Sequence, residues 1–131
     1  MIWGTMAPIS WVAAPPSLGT WTFGLMTLGA AAGIAKTIRW PNLPKRVSAL
    51  IYVLFACLLL PTVPSVAEKS GAWGAVLLLF GGVLFAIGAL IYSKRSPNPI
   101  PGVLGYHEVF HLLVIAAAAC QYVTVWRILD P

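Results

Sequence analysis

Gly105-Tyr106-His107-Glu108-Val109-Phe110-His111 opens the last long apolar run of the chain, which continues without a further charge to Trp126. A run of that length reads as a membrane-spanning helix, and everything before it can be placed around that helix. His107 and His111 are the only histidines present, and they sit four apart. On a helix, both imidazoles project from one face about one turn (~5.4 Å) apart. Neutral imidazole is the commonest metal ligand, and zinc accepts nitrogen at about 2.0 to 2.1 Å, so the pair is a candidate metal site. The plainer alternative is two polar side chains hydrogen-bonding within a helical bundle. Ionisable groups in membrane spans are costly and usually functional, which favours the metal.

Composition fixes the class. Of 131 residues, 60% are hydrophobic and 8% charged, with a mean hydropathy of +0.89. Soluble domains carry about 25% charged residues, so this chain reads as an all-α integral membrane protein and a single membrane domain over 1–131. The net charge of +5 does not indicate nucleic acid, because Lys and Arg are scattered between apolar runs with no dense basic patch. Cys57 and Cys120 each lie inside an apolar run, without a second cysteine at metal-ligand spacing, and read as small buried apolar residues.

Residues 1–14 are apolar and uncharged, but as a helix they would reach only ~21 Å, and Pro8 is expected to interrupt them. They lack a basic n-region and a cleavage site, so they read as the tail of a helix that begins elsewhere rather than as a signal peptide. Complete spans are expected at 20–38, 47–66, 71–92 and 103–126. Trp21 and Trp40 flank the first of these as interfacial aromatics, and Gly29 and Gly33 form a GxxxG packing pair on it. Lys36 is expected to snorkel outward. Pro61 and Pro64 predict irregular backbone at the far end of the second span, and Glu68-Lys69-Ser70 reads as a polar turn. Gly82, Ala86 and Ala89 would give the third span its packing face.

If four spans alternate, Lys36, Arg39, Lys45, Arg46, Lys94 and Arg95 fall on one side, against Lys69 and Arg127 on the other. The positive-inside rule then makes loops 39–46 and 93–102 cytoplasmic and the C-terminus external. The histidines lie near the inner interface, within reach of the cytoplasm or of a lipid entering between helices.

The run PGVLGYHEVFHLLVIAAAACQYVTVW, Pro101 to Trp126, resembles the final helix of the hemolysin III proteins, members of the progestin and adipoQ receptor superfamily. The resemblance extends back through GGVLFAIGALIYSKRSPNP and the Trp40-Pro41-Asn42 loop, and Gly4-Thr5-Met6-Ala7-Pro8 is similar to the GTYTP-like end of the family's third helix, departing from it at Met6 and Ala7. It implies the last four helices of a seven-helix bundle plus the end of the third, in a bacterial plasma membrane. It also implies a zinc ion held by three histidines, two of them matching His107 and His111 and one on the family's second helix, with an aspartate nearby on the third. The chain contains neither of the last two. In receptors of this superfamily the site looks like that of a lipid amide hydrolase, in which zinc activates water and polarises the substrate carbonyl. With two ligands instead of three, any hydrolysis would need a missing N-terminal half, since two copies of the chain would pool their histidines only into a closed, structural site; a truncated frame, a fragment or half of a split protein are all expectations consistent with this start.

Two other readings come from different classes. His107-Glu108-Val109-Phe110-His111 also satisfies the HExxH pattern of zinc metalloproteases, with Glu108 as general base. After His111 the next acid is Asp130, roughly 28 Å further along a continuous helix, so a third oxygen ligand is missing. Glu108 reads better as an interfacial carboxylate. A channel-like or membrane-perturbing protein is the other, although no residues form an ion-selectivity ring. Conductance that survived loss of both histidines would favour it.

Overall fold

The computed structural model describes residues 2–40, 44–100 and 103–130; the Pro41-Asn42 part of the basic loop, Pro101, Gly102 and both terminal residues lie outside them. The described residues form α1 (Ile2–Ala13), α2 (Pro16–Arg39), α3 (Lys45–Cys57), α4 (Val63–Lys94) and α5 (Tyr106–Leu129), with a 3-10 turn at Leu60–Thr62. Among them the only extended pairing is an isolated bridge between Ile100 and Leu104. Among the described residues three stretches are long and apolar enough to cross a membrane: Pro16–Arg39, Val47–Lys94 and Tyr106–Leu129. The protein is an all-helical integral membrane protein.

The middle stretch, 48 residues, would reach ~72 Å as one straight helix, more than twice the hydrocarbon thickness. It does not run straight. α3 stops at Cys57, the 3-10 turn follows, and Gly71 takes φ 72° and ψ 177° inside α4, splitting off a second helical segment over 72–94. The break therefore falls at Gly71, not at Glu68-Lys69-Ser70, which are helical. Only glycine adopts that left-handed, extended backbone without strain. The expected 47–66 span is interrupted between Cys57 and Val63, and Pro61 and Pro64, expected to leave irregular backbone, stand in the first turns of the elements that follow, where the absent N–H has no intrahelical partner to lose. At 13 residues, α3 is ~20 Å long and by itself falls short of a complete span.

α1 also differs from expectation. Pro8 lies inside a continuous helix, on its exposed side, while Met6, Ile9, Ser10 and Ala13 face the core. Pro16 at the start of α2 turns the chain back, and Gly19 permits the close return, since a Cβ there would stand 2.8 Å from the Ser10 carbonyl oxygen.

The tightest joint is between α4 and α5, which run antiparallel. On α5 the buried residues Val114, Ala117, Gln121 and Thr124 follow a three-four spacing, the seam of a helix pair. On α4 the facing positions are Gly74, Gly81 and Gly88, seven apart. A Cβ at Gly81 would meet the Ala117 carbonyl oxygen at 3.2 Å, one at Gly88 would meet Phe110 at 3.3 Å, and Thr124 donates to the Gly74 carbonyl at 3.4 Å. The packing face thus differs from the expected one: Ala89 is buried, but Gly82 has no neighbour within 4 Å. The GxxxG pair on α2 divides in the same way. The Phe55 ring of α3 lies directly over Gly29, whereas Gly33 is open.

Polar groups in this interior have to be satisfied locally, because hydrocarbon offers no substitute for water. Ser10, Thr22 and Thr62 each donate to a carbonyl of their own chain segment at 2.7 to 3.1 Å. Gln121 is the exception: it is 1% exposed, and among the described residues neither its Nε2 nor its Oε1 has a hydrogen-bond partner. Lys36 does not simply snorkel; its ammonium donates to Ser48 Oγ at 2.6 Å and ties α2 to α3. The cysteines are less buried than expected, Cys57 being exposed and Cys120 half-buried. A thiol facing hydrocarbon forfeits no strong hydrogen bond, so the outer face of a span holds it at little cost.

Candidate metal centre

α5 begins with an extended Gly105, after which Glu108 reaches back so that its Oε2 accepts the Gly105 N–H at 2.9 Å. Asn98 Oδ1 accepts the Tyr106 N–H at 2.9 Å. Two of the amides that a helix start leaves without partners are thereby met by side chains, one from the helix and one from the preceding loop. That fixes where the first turn points, and the histidines belong to that turn and the next.

His107 and His111 do come together. Their Nε2 atoms are hydrogen-bonded to each other at 3.1 Å, with ring centroids at 4.5 Å and planes at 89°, so the plainer alternative, two polar side chains bonding to each other, is what the pair forms without an ion. Two nitrogens on one zinc at about 2.0 to 2.1 Å, held at a tetrahedral angle, stand ~3.3 Å apart, so a shared ion would replace that hydrogen bond at nearly the same separation. Both residues are exposed. Behind them Tyr92 packs on His107 at 6.2 Å and on Phe110 at 5.2 Å, and Phe110 rests on Gly88. An aromatic wall thus supports the imidazoles from the α4 side.

Among the described residues, no group of three or more His, Cys, Asp or Glu is placed to hold one ion. The pair supplies two nitrogens, where a catalytic zinc normally takes three protein ligands. Glu108, which the HExxH pattern would turn toward the metal as a base, instead closes the helix start. Asp130 lies at the far end of α5 as its C-cap. Asn98 and Tyr92 escaped sequence reasoning because tertiary folding alone brings them here; Glu108 three residues after Gly105 was a legible capping signal.

An exposed histidine pair on a helix of a multi-pass membrane bundle defines the class. The Haemolysin-III related family model matches residues 1–122, and the chain belongs to that family. It is 25% identical over 127 residues to Hemolysin-3 of Bacillus cereus, covering 95% of this chain and 54% of that protein. It is also 48% identical over 49 residues to the ADIPOR-like receptor IZH2 of Saccharomyces cerevisiae, covering 34% of this chain and 16% of that one. The chain thus spans about half the length of the first and a smaller part of the second. No solved structure matches it.

Proposed function

We propose that His107 and His111 are two of the ligands of a zinc ion at the cytoplasmic end of the last helix, in a site that acts on the carbonyl of a lipid amide. The observation that carries this reading is the 3.1 Å separation of the two Nε2 atoms on an exposed face. Zinc, when bound, would supply Lewis acidity; the chain's own part is to hold two nitrogens on a rigid turn backed by Tyr92 and Phe110. Further ligands have to come from outside the described residues, either from a segment like the part of Hemolysin-3 that this chain does not match or from a second copy. Two copies would pool four imidazoles into a closed site without an open position, so hydrolysis calls for the first arrangement.

Metal analysis of the purified chain in detergent is the test. Zinc should be retained by the unaltered chain and lost in His107→Ala and in His111→Ala; equal content in the unaltered chain and His111→Ala would overturn the proposal. Zinc-dependent hydrolysis of a long-chain lipid amide should appear only when a segment carrying a third histidine is co-expressed. Robust hydrolysis by this chain alone, abolished in His107→Ala, would show that its own residues complete the site.

A further inference from the structure

At the opposite end of α5 from the histidines, a cleft of about 490 Å³ is lined by Lys69, Ser70, Gly71, Trp126, Arg127 and Asp130. Lys69 and Arg127 are the two basic residues at this end of the bundle, and both border it. The Lys69 ammonium is held in place by donating to the Val12 carbonyl at 2.7 Å, which leaves its remaining donors for the cleft. Among the described residues the Arg127 guanidinium has no hydrogen-bond or ion-pair partner, and Asp130, although it borders the same cleft, has no ion-pair partner either.

The backbone contributes both signs. Because Gly71 breaks α4, the segment 72–94 starts at the cleft with amides that favour an anion, while α5 ends there with carbonyls that favour a cation. No atom would meet a Cβ at Gly71 within 4 Å, so the space before that helix start is open. Trp126, 58% exposed, supplies an apolar wall on the rim. Two cations and a helix start suit a phosphate, one carboxylate suits an ammonium group on the same molecule, and an indole suits an acyl chain.

We infer that this cleft binds a zwitterionic phosphodiester of the phosphoethanolamine type, its phosphate between Lys69 and Arg127 and its ammonium at Asp130. The source is either a membrane lipid or the free headgroup. Native mass spectrometry of the detergent-purified chain tests it with four probes: dihexanoyl phosphatidylethanolamine, dihexanoyl phosphatidylglycerol, glycerophosphoethanolamine and dihexanoylglycerol. Binding of the ethanolamine lipid should fall about tenfold in Arg127→Gln, the size expected for one charge-assisted hydrogen bond. Among the described residues Arg127 has no partner whose loss would cost the fold, so that variant should stay folded, as helical circular dichroism will verify. Asp130→Asn should erase the preference for ethanolamine over glycerol while retaining phosphate affinity. Glycerophosphoethanolamine binding as tightly as the acylated probe identifies the free headgroup as the source, and much weaker binding identifies the lipid. Unchanged affinity in Arg127→Gln, equal binding of phosphate-free dihexanoylglycerol, or a preference for phosphatidylglycerol in the unaltered chain would each overturn the inference.

Discussion

Phe110 packs against Gly88 so closely that one added methyl group there would meet its ring at 3.3 Å. Since Phe110 and His111 are adjacent and their rings are 5.3 Å apart, the glycine on α4 sets where the imidazole stands on α5.

Gly88→Leu should therefore act twice. Overpacking a tight joint costs about 1 to 3 kcal/mol, lowering the thermal midpoint in detergent, and the displaced Phe110 should reduce zinc retention as well. Gly82→Ala, with nothing within 4 Å of its new methyl, is the matched control and should change neither. Equal loss in the two variants would contradict the seam.

Glu108→Ala removes the acceptor of the Gly105 N–H. Loss of a helix cap destabilises, so the thermal midpoint in detergent should fall modestly with zinc content unchanged. Full loss of zinc at unchanged stability would return Glu108 to the metal and revive the protease pattern.

Gln121→Leu should stabilise the protein. A buried amide with both polar atoms unmet carries a desolvation penalty of about 1 to 3 kcal/mol that an apolar side chain of similar size does not. A rise in the thermal unfolding midpoint is the expected reading, and a fall would mean that Gln121 has a polar partner after all.

A tag after Pro131 should be labelled from outside intact cells, and one in the Lys94 loop should not, if the basic residues orient the chain as the positive-inside rule requires. The reverse pattern would invert the bundle and put the histidines at the outer face.

Apolar run length made the helical membrane class legible, and the four-residue spacing of His107 and His111 made their approach to each other legible, since both depend only on local periodicity. The interruptions were harder to place. Pro61 and Pro64 start elements as readily as they end them, and the turn at Gly71 looks like any other small-residue position until its positive φ is known. Several small residues on α4 could have faced a neighbour; Gly74, Gly81 and Gly88 do so because the partner seam on α5 selects that register. Tyr92 and Asn98 became part of the site only when distant segments met.

The break at the end of α3 bears on the lipid as much as on the protein. α3 alone, ~20 Å, does not cross a ~30 Å hydrocarbon layer, so the crossing that begins at Lys45 is completed by the 3-10 turn and the first turns of α4, up to Lys69 beside Arg127. A crossing made of two helical pieces meets a thinner or thicker bilayer by bending at its joint, where the unbroken α2 and α5 can only tilt.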